Sequence, residues 1–488
     1  MKVTMISMWA LYGAILLYIS RRMTGRDALL PGRVSVVVQA FAYVATYVSA
    51  VALVGFSGLG HAMGLQIEMV AMGVMWFGVW FVYRFIAWPT RLMQRRLAAK
   101  TPIEMLAKGY GSKGLGKFLA ALAGTLVIVY CSAVFKGAAL VLASAVPVTE
   151  DQALWLLVGL VALSVTWGGL RGVLYTEALQ GFVMTIGVVA LIAGTMKYVG
   201  GPVAALDALA ELPPTPQANR GFLSLSSGAA GLNIVFLSLV TSVGVWAQPQ
   251  LIQRHFALKS REEGRRVIPV AMLAVGILLG GAFFVGGISR VILGPEVPSA
   301  DSVIPMLVRM LLPDYGRQIF AMAIVSASLS TASALLHVSS ACLGRDVLER
   351  DLTGRNWKVA VAASAVASGL FAVKSSSIIA LVCSTSWTLM AGTMWVPYMA
   401  LITLGPVAGR RSAWLSALSG TLLSVAWYAF GYAPTSLGFA GISAPGLWGH
   451  AHPLIVGVAA SACGLGVGLS LQRSGLWQKG QIAAQRST

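Results

Sequence analysis

The chain has 488 residues, 57% of them apolar and only 10% charged, and its mean hydropathy is +0.79. A water-soluble protein of this length needs far more polar surface, so the composition excludes a soluble enzyme and makes the bilayer the solvent. The formal charge of +19 does not mark a nucleic-acid binder, because the cations sit in short loops between apolar stretches.

Thirteen continuous apolar runs without strict apolar/polar alternation predict transmembrane helices rather than a barrel. They are expected at 4–20, 34–60, 67–88, 118–144, 152–168, 177–197, 232–252, 267–292, 318–342, 358–374, 377–403, 412–432 and 453–471. The first run is followed, not preceded, by Arg21, Arg22 and Arg26 and lacks a small-x-small cleavage site, so it reads as a retained helix. With the N-terminus outside, 26 of the 35 basic residues fall in inward-facing segments and 7 in outward-facing ones, which predicts N-out and C-in. The outward segments 198–231 and 293–317 carry several prolines and are long enough for short surface helices or a gate. About 17 residues follow the last predicted helix, too few for a further domain. Cys131, Cys342, Cys383 and Cys463 all lie in apolar runs and read as small core residues.

The second predicted helix ends in a glycine-rich stretch with Gly55, Gly58, Gly60 and Gly64, and it carries Ser49 and Ser57. Two readings fit: a helix unwound near the midplane, whose freed carbonyls bind a cation, or glycines that let helices pack closely. In the fourth, Lys136 stands eleven residues before Pro147, about 16 Å from it at 1.5 Å per residue. With no obvious carboxylate partner nearby in sequence, it either meets a solute carboxylate or snorkels to the outer interface. Arg84, near the inner end of the third helix, reads as a snorkelling cation.

The seventh helix contains TSVGVWAQPQLIQRHFALKS, in which Pro249 removes a backbone donor and Gly244 loosens the turn before it. Gln248 and Gln250 are uncharged polar groups able to face a cavity. Helices 2 and 7 are five apart, and an interruption recurring at that interval points to an inverted-repeat transporter; a simple proline kink is the plainer alternative. In the ninth helix Ser326, Ser330, Ser333 and His337 follow helical spacing and form one polar stripe, with Thr331 beside Ser330. These hydroxyls either ligate sodium or bond back to carbonyls one turn earlier. The remaining histidines, His61, His255, His450 and His452, fall near helix ends or loops and suggest no metal site.

The segments GFSGLGHAMG (55–64), TWGGLRGVLYTEALQG (166–181), AQPQLIQRHFALKS (247–260) and SLSTASALLHVSSACLGRD (328–346), in this order and spacing, resemble the sodium:solute symporter family. That family includes sodium-coupled proline, pantothenate, monocarboxylate and sugar carriers. The resemblance implies an all-α integral membrane protein with a leucine-transporter-type fold of two inverted five-helix repeats, one helix before them and two after. It divides the chain into a first helix and loop (1–33), a core (34–403, with halves near 34–197 and 232–403) and a C-terminal pair of helices with a short tail (404–488). It implies a sodium site formed by backbone oxygens of Ala45, Val48 and Ala327 with the hydroxyls of Ser330 and Thr331. Tyr47 and Ala52 stand where some members have Asp and Gln, and Glu177 follows Thr176 where members commonly have Asp.

Together these readings predict uptake of a small organic solute, of amino-acid or monocarboxylate type, coupled to co-transported sodium by alternating access across a bacterial inner membrane. Proton coupling through Glu177, His337 or Lys136, or a sensor without transport, are the alternatives. No Walker loop, catalytic triad or zinc spacing occurs, so an enzyme is not expected. The candidate solute-facing residues are Tyr47, Ser49, Lys136, Thr241, Trp246 and Gln248. The expected partners are the solute and membrane lipid, with no nucleic acid, and a monomer is anticipated.

Overall fold

A computed structural model describes residues 2–25, 27–226, 228–374, 379–432 and 451–474, and among these every regular element is helical. Among the described residues nine helices are long and apolar enough to cross a membrane, or ten if one bent pair counts as a span. Cys383, as a side chain, and His450 lie outside the described residues.

α1 (Lys2–Arg22) comes first. α2 (Val36–Tyr47) starts at Ser35, whose hydroxyl accepts the Val38 amide at 3.3 Å. It stops after twelve residues, because Val48 is extended with φ −89° and ψ 106°. The chain turns helical again as α3 (Val51–Arg96), which bends at Gly64 where φ is +65°. α4 (Pro102–Gly109) is a short, largely buried helix capped by Thr101. α5 (Lys113–Ala145) and α6 (Glu150–Val199) follow. After α7 (Pro202–Ala210) come α8 (Gly228–Ser242) and α9 (Pro249–His255), joined through a bend of 61°. α10 (Arg261–Leu293), α11 (Ala300–Leu311), α12 (Asp314–Val347) and α13 (Gly354–Lys374) complete the central part. α14 (Ile379–Leu404), α15 (Arg410–Gly431) and α16 (Pro453–Arg473) form a packed C-terminal group. The two long segments expected to face outward do carry short helices, α7 and α11.

The glycines of 55–64 do not mark the break in the second predicted helix. The interruption lies earlier, at Val48–Ser49; Gly55, Gly58 and Gly60 sit in restored helix where α3 meets α10 and α11, and Gly64 stands at the bend of α3. A methyl group on Gly58 would fall 1.9 Å from the Ala300 carbonyl oxygen, and one on Gly286 would fall 1.8 Å from that of Ser57. Close backbone approach is their role, as small residues provide in membranes.

The expected loop at 169–176 is also absent. Gly169 alone turns the chain, with φ 53° and ψ −158°, and helix resumes at the next residue. The Leu170 amide, freed by this turn, donates to the Ala28 carbonyl at 2.8 Å. One glycine and one borrowed acceptor therefore stand where the predicted helices 152–168 and 177–197 leave a gap.

α12 is the central element. Every residue from Ala323 to Cys342 is buried, against α2, α5, α6 and α13. Loops assigned to one side by their basic residues do meet one another. Lys100 pairs with Asp27 at 2.7 Å, Arg345 with Glu104 at 3.1 Å and Lys117 with Glu349 at 3.1 Å, and Arg91 Nε donates to the Leu258 carbonyl at 3.0 Å. Burial alone would raise the Glu104 carboxyl, but Arg345, the Lys100 amide and Lys108 hold it down at about 2.

Candidate functional site

The two broken helices face each other. α8 ends at Ser242, a single tight turn runs from Gly244 to Ala247, and Gln248 is extended with φ −71° and ψ 118°. Pro249 then occupies the first position of α9, where a missing N–H leaves no helical bond unmade. The Tyr47 hydroxyl, at the end of α2, donates to the Thr241 carbonyl near the end of α8. One break thus supplies the donor that satisfies the other.

A cavity lies beside this contact. Tyr47, Ser49, Thr241 and Gln248 line it, as do Thr46, Gln250, Phe56, Phe283, Tyr130 and Trp387. Gln248 Nε2 donates to the Trp387 carbonyl at 3.4 Å, and Gln250 Nε2 donates to Gln248 Oε1 at 3.3 Å. Gln250 Oε1 is buried with no hydrogen-bond partner among the described residues, which leaves an acceptor free for a bound molecule. Tyr130 meets Trp387 edge-on with ring centroids 5.8 Å apart. Among the described residues the lining is therefore aromatic, aliphatic and neutral-polar, with no charged side chain.

Trp246 is not part of it. Its indole stacks on Phe81 with centroids 5.0 Å apart and donates to the Phe77 carbonyl at 3.0 Å. The tight turn at Gly244–Ala247 points the neighbouring residues to different sides, which helical spacing does not anticipate. The aromatic contributors that sequence reasoning missed, Tyr130 and Trp387, stand on α5 and α14. Neither sits beside a chain break, so no local signal marks them.

One turn from the α2 break is a convergence of oxygens. The Ser330 hydroxyl lies 2.8 Å from the Ala45 carbonyl and 3.0 Å from that of Ala327. Thr331 Oγ1 donates to the Ala327 carbonyl at 3.0 Å. All four residues and Val48 are buried. Thr331 thus bonds back within its own helix, and Ser330 does so while also spanning to α2. The remaining stripe residues serve other neighbours: Ser326 meets the Tyr12 hydroxyl at 2.5 Å, and His337 Nε2 meets the Ala28 carbonyl at 2.8 Å.

The charges sort differently from the sequence expectation. Lys136 has a carboxylate partner after all: its ammonium pairs with Glu150, the first residue of α6, and it does not line the cavity. The chain separation hid this, since the short connection after α5 folds α6 back beside it. Glu177 is buried and paired with Arg254 of α9. Arg254 Nε also donates to Thr46 Oγ1 at 3.3 Å, and Gln39 Nε2 donates to the Arg254 carbonyl at 2.6 Å. The second broken helix is thereby pinned to α2 and α6 by one side chain. Arg84 lies 4.9 Å from the centroid of the Phe85 ring.

Comparison with known proteins agrees with this arrangement. The sequence profile of the sodium:solute symporter family matches residues 29–402, and the chain belongs to that family. It is 29% identical over 317 residues to a sodium/pantothenate symporter of Haemophilus influenzae, covering 64% of this chain and 63% of that protein. It is 25% identical over 333 residues to a high-affinity proline transporter of Bacillus subtilis, covering 66% of this chain and 68% of that one. The chain thus spans about 63% of the length of the pantothenate symporter it matches. Among solved structures, a sodium-coupled sialic acid symporter in a substrate-bound outward-open state superposes with a TM-score of 0.74 at 17% identity, over 94% of this chain and 96% of that one. A nucleobase-cation-symport-1 family transporter in a closed conformation reaches 0.59 at 12% identity, over 92% and 95%.

Proposed function

We propose that this family member carries a small organic solute across a bacterial inner membrane by sodium-coupled symport and alternating access. The observation that carries the reading is the Ser330 hydroxyl meeting the Ala45 carbonyl across two elements, beside the interrupted end of α2. Neutral hydroxyl and carbonyl oxygens suit a hard monovalent cation that must also leave, because no fixed carboxylate holds it. Ala45, Val48 and Ala327 would contribute backbone oxygens, and Ser330 and Thr331 their hydroxyls. A sodium ion there replaces the hydrogen bonds between these groups and ties α12 to α2. The adjacent cavity takes the solute, with Tyr47, Ser49, Thr241, Gln248 and Gln250 as its polar contacts.

A carboxylate-bearing solute fits if neutral donors and the nearby cation hold its charge, since Lys136 is engaged elsewhere. The core 34–403 is read as two inverted five-helix halves, near 34–197 and 232–403, with 1–33 before and 404–488 after. This reading is supported by the paired interruptions at Val48 and Gln248. It counts thirteen crossings: to the ten spans it adds α1, a second crossing within α6, which at fifty residues extends far beyond one bilayer thickness and turns at Gly169, and a separate crossing by α2 with the part of α3 before its bend at Gly64. The grouping of basic loops on one face supports an N-out, C-in orientation.

The test is uptake of a labelled panel of amino acids and monocarboxylates into proteoliposomes, with and without a sodium gradient. Ser330→Ala with Thr331→Ala is expected to abolish sodium stimulation while the protein still inserts and folds. Unchanged sodium dependence in that variant rejects the site. Uptake driven equally well by a proton gradient alone rejects the coupling.

A further inference from the structure

We infer that the pocket joining the loop before α2, the end of α3 and the loop after α9 binds the phosphodiester headgroup of an anionic membrane lipid. The pocket, of about 650 Å³, is lined by Arg33, Arg91, Arg95 and Lys259 together with Gln94 and Phe256, and no carboxylate lines it. Basic loops set topology wherever they lie along the inner face, but topology does not require four cations around one concavity. Their mutual repulsion favours an anion between them, and guanidinium forks match phosphate oxygens.

Arg91 is already held for this role. Its Nε donates to the Leu258 carbonyl at 3.0 Å and its terminal nitrogen donates to Gln94, which in turn donates to the Ala99 carbonyl at 2.6 Å. Lys259 shares its charge with Glu263 at 3.4 Å, whereas Arg33 and Arg95 have no ion-pair partner among the described residues. Arg33 and Arg95 are exposed and free to close on a ligand. A lipid is favoured over a soluble phosphate because Leu92, on the turn between Arg91 and Arg95, is 48% exposed and offers an apolar flank for an acyl chain. Residues 30–33 lead directly into α2, and residues 256–259 leave α9. A headgroup there grips the inner ends of both broken helices and the end of α3 at once.

The inference requires insertion in a membrane but not sodium coupling, so its test reads binding and stability rather than transport. Purified protein in a neutral detergent is titrated with phosphatidylglycerol, phosphatidylcholine or inorganic phosphate. Lipid retention is followed by native mass spectrometry, and thermal unfolding is measured in parallel. Wild type is expected to retain phosphatidylglycerol selectively and to unfold at higher temperature with it. Arg33→Gln with Arg95→Gln should weaken retention by about fivefold per charge, hence roughly twenty-five-fold. Arg265→Gln with Arg266→Gln removes the same charge from residues paired with Glu262 outside the pocket and should leave retention unchanged. Equal loss in both double variants means general surface attraction and overturns the site. So does full retention in the Arg33/Arg95 variant, and so does equal stabilisation by inorganic phosphate, which would make it a soluble-anion site.

Discussion

Two ion pairs between helices behave as opposites here. Arg254 and Glu177 are 1% and 0% exposed as side chains and join α9 to α6, with Thr46 of α2 as a third member. Lys136 and Glu150 are 27% and 37% exposed and join two consecutive helices near their shared end. The first binds the cavity-forming arm to the rest of the core; the second staples a hairpin. A cation in an apolar run is therefore no guide to function by itself. What matters is which elements its partner belongs to, and whether water or lipid headgroups can replace that partner.

The comparison is broken most directly at Arg254. Arg254→Met strands a buried carboxylate, and Glu177→Gln strands a buried guanidinium. Each is expected to lower stability by about 3–5 kcal/mol and to reduce transport severely. Replacing both by apolar residues of similar volume should restore most of the stability, because no lone charge remains. Thermal unfolding of the two single variants and the double variant in one detergent measures this. If the losses simply add, the pair is not a coupled unit and the contrast with Lys136 fails.

A smaller change sharpens it. Thr46→Val removes the hydroxyl that accepts from Arg254 Nε and leaves the charge pair intact. A loss of about 1 kcal/mol is expected, as for one net hydrogen bond. The same assay reads it. A loss as large as that of Arg254→Met would show that Thr46, not Glu177, holds the arginine.

How much of this was legible beforehand divides along the same line. Features that reside in one stretch of chain could be read. The Pro249 interruption, the hydroxyl pair at Ser330 and Thr331, and the Tyr47, Ser49, Thr241 and Gln248 side of the cavity all lie at breaks or on a regular helical stripe. Features that need two distant stretches could not. Glu177 and Arg254 are 77 positions apart, and only the packing of α9 against α2, which itself packs on α6, brings them together. The glycine run at 55–64 misleads for a related reason. Glycine permits both unwinding and close approach, and only the presence of α10 and α11 decides between them.

The least effect is expected at Lys136. Before the fold is known, a lysine near the midplane asks for an anion, and a solute carboxylate is an attractive one. The structure supplies Glu150 in that place and puts the cavity elsewhere. Lys136→Met should therefore leave the apparent Michaelis constants for solute and for sodium unchanged. It should lower stability by at most about 1 kcal/mol, because the pair is partly exposed and Glu150 stays at the start of α6, where a helix N-terminus favours a carboxylate. Glu150→Gln should match it closely, since both remove the same staple. A rise in the solute constant confined to Lys136→Met, absent in Glu150→Gln, would mean that the ammonium leaves Glu150 during the cycle and reaches the solute. That outcome would return Lys136 to the binding site and erase the distinction between the two ion pairs.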